Sequence, residues 1–144
     1  MATTITAYNQ LSHIIANHDL DALTLKLALV TSAYTFAATH TLWSDASGSE
    51  VAAGDGYTTG GETIGSLSLT LATAQTTLDA ADVTWTALTK TFRRAVCYAS
   101  GTVIALTNPV LFSILFDDTP ADIVVAGVDY QVRWNASGII LIGS

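Results

Sequence analysis

Charge is scarce in this chain. Asp, Glu, Lys and Arg make up 12% of its 144 residues, against a share of roughly 25% in ordinary globular domains. Positive charge is scarcer still. Lys26, Lys90, Arg93, Arg94 and Arg133 face twelve acidic residues, for a net charge of −7. Nucleic-acid binding draws on clustered cations that displace counterions from phosphates. The one adjacent basic pair is Arg93-Arg94, and neighbours along a strand point to opposite faces. A nucleic-acid partner is not expected.

Cysteine is nearly missing. Cys97 stands alone in an apolar run, so no intrachain disulfide forms, and a buried, inert thiol is expected rather than a nucleophile. The three histidines do not assemble a metal pattern. His13 and His18 are five apart, not the four that sets two ligands on one helical face, and no Cys or Glu completes a cage. His40 reads as a hydrogen-bonding loop residue. Asp45, Ser47, Ser49 and Glu50 lack the glycine and distal glutamate of a calcium loop, and Asp117, Asp118 and Asp122 read as an acidic turn. Gly54-x-Gly56 and Gly60-Gly61 are not followed by the Gly-Lys-Ser/Thr of a phosphate loop. Nucleophile elbows, zinc-protease helices and Cys/His pairs are missing too. The chain is read as having no cofactor and as not being an enzyme.

The longest uncharged stretch, Ala95 to Phe116, would span a bilayer by length. It is interrupted by Ser100-Gly101-Thr102 and Thr107-Asn108-Pro109, and so reads as three short core strands with no membrane association. The N-terminal Met-Ala-Thr-Thr-Ile-Thr lacks the basic and apolar regions of a signal peptide. Asn135-Ala136-Ser137 fits the glycosylation pattern, which arises readily by chance.

Hydrophobic residues, by contrast, are half of the chain, and threonine is abundant, with 22 copies. Threonine is β-branched and favours strands. Tyr8, Leu11, Ile14 and Ile15 fall at helical spacing over two turns. Leu23, Leu25, Leu27 and Leu29 alternate with Thr24, Lys26, Ala28 and Val30, the pattern of a strand with one leucine face buried. Further strands are expected at Ile64 to Leu71, Val83 to Trp85, Phe92 to Tyr98, Val103 to Leu106, Leu111 to Phe116, Ile123 to Ala126, Val128 to Trp134 and Ile139 to Ile142. Strand alternation also suggests that Arg94 points inward to a carboxylate such as Asp82. From Thr35 to Gly61 runs a long loop, with one capped helical turn expected near Ser44 and Ser47. Loops this long in small domains often carry contacts to something else. The expected fold is mainly β: one domain over residues 1–144, an antiparallel β-sandwich or barrel-like structure with a short N-terminal helix and one long loop.

Several segments in order resemble a family of small virion structural proteins of tailed bacteriophages, with capsid decoration (cement) character. They are Thr24-Leu25-Lys26-Leu27-Ala28-Leu29-Val30-Thr31-Ser32-Ala33-Tyr34, His40-Thr41-Leu42-Trp43-Ser44-Asp45, Glu50-Val51, Gly56-Tyr57-Thr58-Thr59-Gly60-Gly61, Asp79-Ala80-Ala81-Asp82-Val83-Thr84-Trp85-Thr86, Arg94-Ala95-Val96-Cys97-Tyr98 and Trp134-Asn135-Ala136-Ser137-Gly138-Ile139. The set runs from about Leu23 to Ile142. The resemblance implies a virion component and leaves its part of the particle open. A weakly charged, Thr- and Ala-rich skin suits a protein packed against neighbours.

The leading expectation is a homo-oligomeric decoration protein on the capsid surface, bound to the major capsid protein and to its own copies, as a trimer or another symmetric form. A tail or neck component and a host-surface glycan-binding module, with Asp117, Asp118 and Asp122 as its acidic candidates, are the alternatives. Trp43 and Tyr57 in the long loop, and Leu11, Ile14 and Ile15 in the N-terminal segment, are the candidate interface residues, because aromatic and apolar anchors dominate interface energetics. Trp43 and Tyr57 have a competing reading, as plugs for the ends of the sandwich core.

Overall fold

The computed structural model describes residues 3–72, 75–119 and 121–143; Met1 and Ala2 of the N-terminal reading lie outside them. Its principal sheet contains β1 (Thr4–Ala7), β2 (Leu25–Val30), β3 (Glu62–Thr63), β7 (Arg94–Ala99) and β10 (Val110–Leu115), in the order β1-β10-β7-β2-β3 with antiparallel pairing. The leucines of β2 sit opposite small residues of β7: Leu25 faces Ala99, Leu27 faces Cys97 and Leu29 faces Ala95. Large beside small leaves hollows that side chains from the next layer fill.

That layer is a ribbon of two ten-residue strands, β6 (Val83–Phe92) and β11 (Ile123–Val132). Val83, Trp85, Leu88 and Phe92 of β6, with Val125 and Val132 of β11, join the leucine face in one core. Beside it lie β4 (Ser68–Ala72), β5 (Gln75–Asp79) and β12 (Ile140–Gly143), which form a three-stranded antiparallel sheet; β8 (Thr102–Val103) and β9 (Leu106–Thr107) make a small hairpin. The helix α1 (Gln10–Asn17) buries Leu11 and Ile14 in the same core. Phe92, Phe116 and Tyr130 meet edge to face, with ring centroids 5.1–5.7 Å apart. The fold is mainly β, antiparallel and sandwich-like, and among the described residues no barrel closes.

Several details depart from the sequence expectation. Val103 to Leu106 is not a strand but the turn of the β8–β9 hairpin, with Ile104 and Ala105 at positive φ. Ile123 to Val132 is one strand rather than two, because a bulge at Gly127 on β11 is offset by a second at Thr86-Ala87 on β6. Each extra residue is tied across the ribbon. Gly127 N–H donates to Thr89 Oγ1 at 2.9 Å, and Ala87 N–H donates to Asp129 Oδ1 at 2.9 Å. The two insertions shift the alternation and then restore it. Likewise Phe92 to Tyr98 is not one strand: Phe92 ends β6, and the chain turns at Arg93 into β7. The edge strand β1 had no hydrophobic alternation to announce it, and all four of its residues are exposed.

The long segment after β2 does not hang free. It lies on the face of the principal sheet opposite the leucines, where Tyr34, Trp43 and Ala46 cover Ala28, Val30, Val96, Tyr98 and Val110. The leucine face is buried as read from the sequence, and the other face is buried as well. Backbone bonds pin the segment at several points: Thr31 N–H to Ser49 O, Val51 N–H to Leu29 O, Trp43 N–H to Asn108 O and Val110 N–H to Thr41 O. The helical turn near Ser44 resolves into two 3₁₀ turns, Trp43–Asp45 and Ser47–Ser49. The first turn is closed by Asp45 rather than by a serine, its Oδ2 accepting from the N–H groups of Thr41 and Leu42 at 3.0 Å each. Gly61 ends the segment against β2 with φ +77°; a Cβ there would lie 2.0 Å from Leu27 O, so only glycine permits this approach.

Candidate interaction surface

Two polar networks bind the long loop to the sheet. In the first, Tyr57 hydroxyl donates to Glu50 Oε1 at 2.7 Å and accepts from Leu29 N–H at 3.1 Å. The same Glu50 oxygen accepts from Gly60 N–H at 2.6 Å, and Gly60 O accepts from Tyr98 hydroxyl at 2.8 Å. Burial, and then the Glu50 carboxylate, push the Tyr57 hydroxyl well above the ordinary tyrosine range, so it stays protonated. In the second network, Tyr8 and Tyr34 hydroxyls share a bond of 2.7 Å, and Tyr34 hydroxyl meets His40 Nδ1 at 2.8 Å. Arg94 lies beside this chain, its Nη1 donating to the buried Ser113 Oγ at 3.4 Å and its guanidinium 5.5 Å from the Phe36 ring. Burial raises the hydroxyls of Tyr8 and Tyr34 as well. His40 therefore is a hydrogen-bonding loop residue.

The expected Arg94–Asp82 pair does not form. Arg94 faces the loop side of the sheet, and Asp82 accepts from Trp134 N–H at 3.1 Å instead. The acidic turn is occupied locally: Asp117 Oδ1 accepts from the Thr119 N–H and hydroxyl, and Asp122 pairs with Arg93 at 2.8 Å. Cys97 is fully buried, and burial pushes its thiol far above the ordinary range, where the reactive thiolate is not populated.

The structure places four of the five candidate interface residues inside the chain's own core. Leu11, Ile14, Trp43 and Tyr57 are each at most 8% exposed. Trp43 stacks on Tyr98 on the loop-covered face of the principal sheet, not at an end of the sandwich core, and Tyr57 carries the Glu50 network from within that core. Ile15 is half-buried and, with Leu11 and Ile140, lines a shallow groove of about 410 Å³ between α1 and β12.

The exposed large apolar side chains lie elsewhere. Ile5 on β1, Leu71 on β4, and Val124 and Val128 on β11 are exposed, Leu71 and Val124 by more than 70%. Val124 belongs to a face of the ribbon that also shows Thr84, Thr86, Thr89, Thr91 and Ala126, all exposed and uncharged. Sequence reasoning missed these residues because Val124 and Val128 sit in an apolar run that reads as core. Val124 pairs with the exposed Thr91 on the outer side of the ribbon, and Val128 follows the bulge at Gly127. Comparison with family models, curated proteins and solved structures returned no match.

Proposed function

We propose that this protein is a structural component of a tailed-phage virion, a decoration protein that binds the major capsid protein lattice on the head surface and stabilises it in company with its own copies. The resemblance of the ordered segments from Leu23 to Ile142 motivates this reading. The observation that carries it is the exposed, uncharged patch of the β6–β11 ribbon formed by Val124, Ala126, Thr89 and Thr91. An uncharged β patch on a chain of net charge −7 is a surface on which close packing costs little in desolvation and repulsion. The scaffold behind it is stiff, since the principal sheet is covered on both faces. A stiff module that repeats over a lattice gains retention through avidity.

Quantitative mass spectrometry of purified virions, with copy number taken relative to the major capsid protein, tests the reading. A number that follows the shell lattice and persists in tailless heads supports it. A small ring number that disappears with the tail assigns the protein to the neck or tail and overturns it.

A further inference from the structure

The two layers of the sandwich do not meet along one flank. There β1 is the outer strand of the principal sheet, and β11 has β6 as its one paired neighbour among the described residues. Between them runs a cleft of about 160 Å³, with Ile5, Ile114, Phe116, Tyr130 and Trp134 on its walls and Arg133 at its rim. We propose that this cleft docks an extended segment of a partner protein, which adds a strand along β1, sets one large apolar side chain into the cleft and places a carboxylate on Arg133.

Size favours a side chain over a metabolite. Small-molecule sites run to about 300–1,000 Å³, whereas an apolar cavity of about 150 Å³ holds a group the size of benzene. The edge is receptive. Alternate N–H and C=O groups of an edge strand have no ladder partner, and proteins usually protect such edges with lysine, proline or a bulge. Thr4-Ile5-Thr6-Ala7 is a short edge of 4 residues, but it carries no lysine, proline or bulge, and its register with β10 is unbroken. Strand addition with alternate side chains in pockets is an established mode of peptide recognition.

Charge selects the occupant. Lys90 and Arg93 are paired with Asp55 and Asp122, and Arg94 is committed to Ser113 and Phe36. Arg133 is exposed, and its Nε donates to the neutral Gln131 Oε1 at 2.6 Å, with no carboxylate in ion-pair range among the described residues. Its remaining donors match an incoming carboxylate. A second copy pairing β1 with β1 would bring no such group, because residues 1–9 contain no Asp or Glu.

The test is methyl and amide NMR on the intact protein. The probe is a capped peptide of alternating threonines carrying one leucine and, two residues on, one aspartate. Saturable shifts at the Ile5 and Ile114 methyls and the Trp134 indole are expected. Affinity should fall about tenfold or more when the leucine becomes alanine, and it should fall when the aspartate becomes lysine. Arg133→Glu, at an exposed position, should invert the preference between aspartate and lysine with the thermal midpoint unchanged. Shifts insensitive to both peptide changes, or the same in Arg133→Glu, would overturn the proposal. So would cleft shifts that follow protein concentration alone with a dimer in sedimentation, which would make the occupant a second copy, or shifts produced by disaccharides and not by the peptide. The peptide result is independent of the capsid reading: a protein located in the tail leaves it standing, and an inert cleft leaves the copy-number result standing.

Discussion

Trp43 lies flat on Tyr98, with ring centroids 4.9 Å apart and planes inclined by 7°. Trp43 comes from the long loop and Tyr98 from the middle of the principal sheet, so this stack is the main apolar clamp between them. Removing it opens a void that the loop covers poorly. Trp43→Ala is expected to destabilise the fold by about 3 kcal/mol, and Trp43→Phe by less, because a ring remains over Tyr98. Urea denaturation followed by circular dichroism measures both. Equal stability of Trp43→Ala and the parent would mean that the loop is not held by this contact.

Tyr57 links a second part of the loop to β2 by a different means. Its hydroxyl satisfies Leu29 N–H and donates to Glu50. Tyr57→Phe leaves the buried Leu29 N–H without a partner, at a cost of about 1–3 kcal/mol. Glu50→Ala removes the acceptor shared by Tyr57 and Gly60. A double-mutant cycle of Tyr57→Phe with Glu50→Ala should give a coupling of at least about 0.5 kcal/mol. Strict additivity would break the network into independent contacts.

Gly61 and Gly65 form a matched pair for testing backbone approach. A Cβ at Gly61 meets Leu27 O at 2.0 Å with φ +77°, whereas at Gly65 nothing lies within 4 Å and φ is not positive. Gly61→Ala is expected to lower stability by more than about 1 kcal/mol, because β2 or the loop must move. Gly65→Ala should be neutral or stabilising by up to about 1 kcal/mol, through the unfolded chain. Thermal denaturation of the two variants side by side decides it, and a similar loss in both would refute the close-approach argument.

Acid should weaken the loop turn before it weakens the sheet. The Leu42 and Thr41 N–H groups hold the Asp45 carboxyl below its ordinary value of 3.8, and Thr119 does the same for Asp117. A depressed folded pKa contributes stability that is present above the unfolded value and lost as pH falls through the folded one. Stability should therefore decline from about pH 4 downward, and Asp45→Asn should flatten part of that decline. The buried tyrosines act at the other end. Tyr8 and Tyr57 have raised folded pKa values, so their contribution is present below pH 10 and is lost above it. Urea midpoints between pH 2 and pH 11 trace both limbs.

Part of this structure was legible before any coordinates. The leucine alternation of Leu25, Leu27 and Leu29, the helical spacing of Leu11 and Ile14, and the turns at Gly54 to Gly61 follow from periodicity and turn chemistry, which are properties of neighbouring residues. They gave the β class, the short helix and the buried Cys97.

Tertiary structure decided the rest, because each of those features joins residues far apart in the chain. The long loop is a covering layer, since Trp43 finds Tyr98 and Tyr57 finds Leu29. Arg94 faces Ser113 rather than Asp82, since the turn at Arg93 sets which face of β7 each residue takes. The candidate anchors went inward for the same reason that they were singled out: the largest aromatic and aliphatic side chains have the most to gain from burial, and the chain's own sheet was the nearest surface. Composition determined that this protein meets the world with threonine and little charge. Which strands are left at an edge, and the cleft between β1 and β11, were set by the order in which the strands pair, and local sequence does not encode strand order.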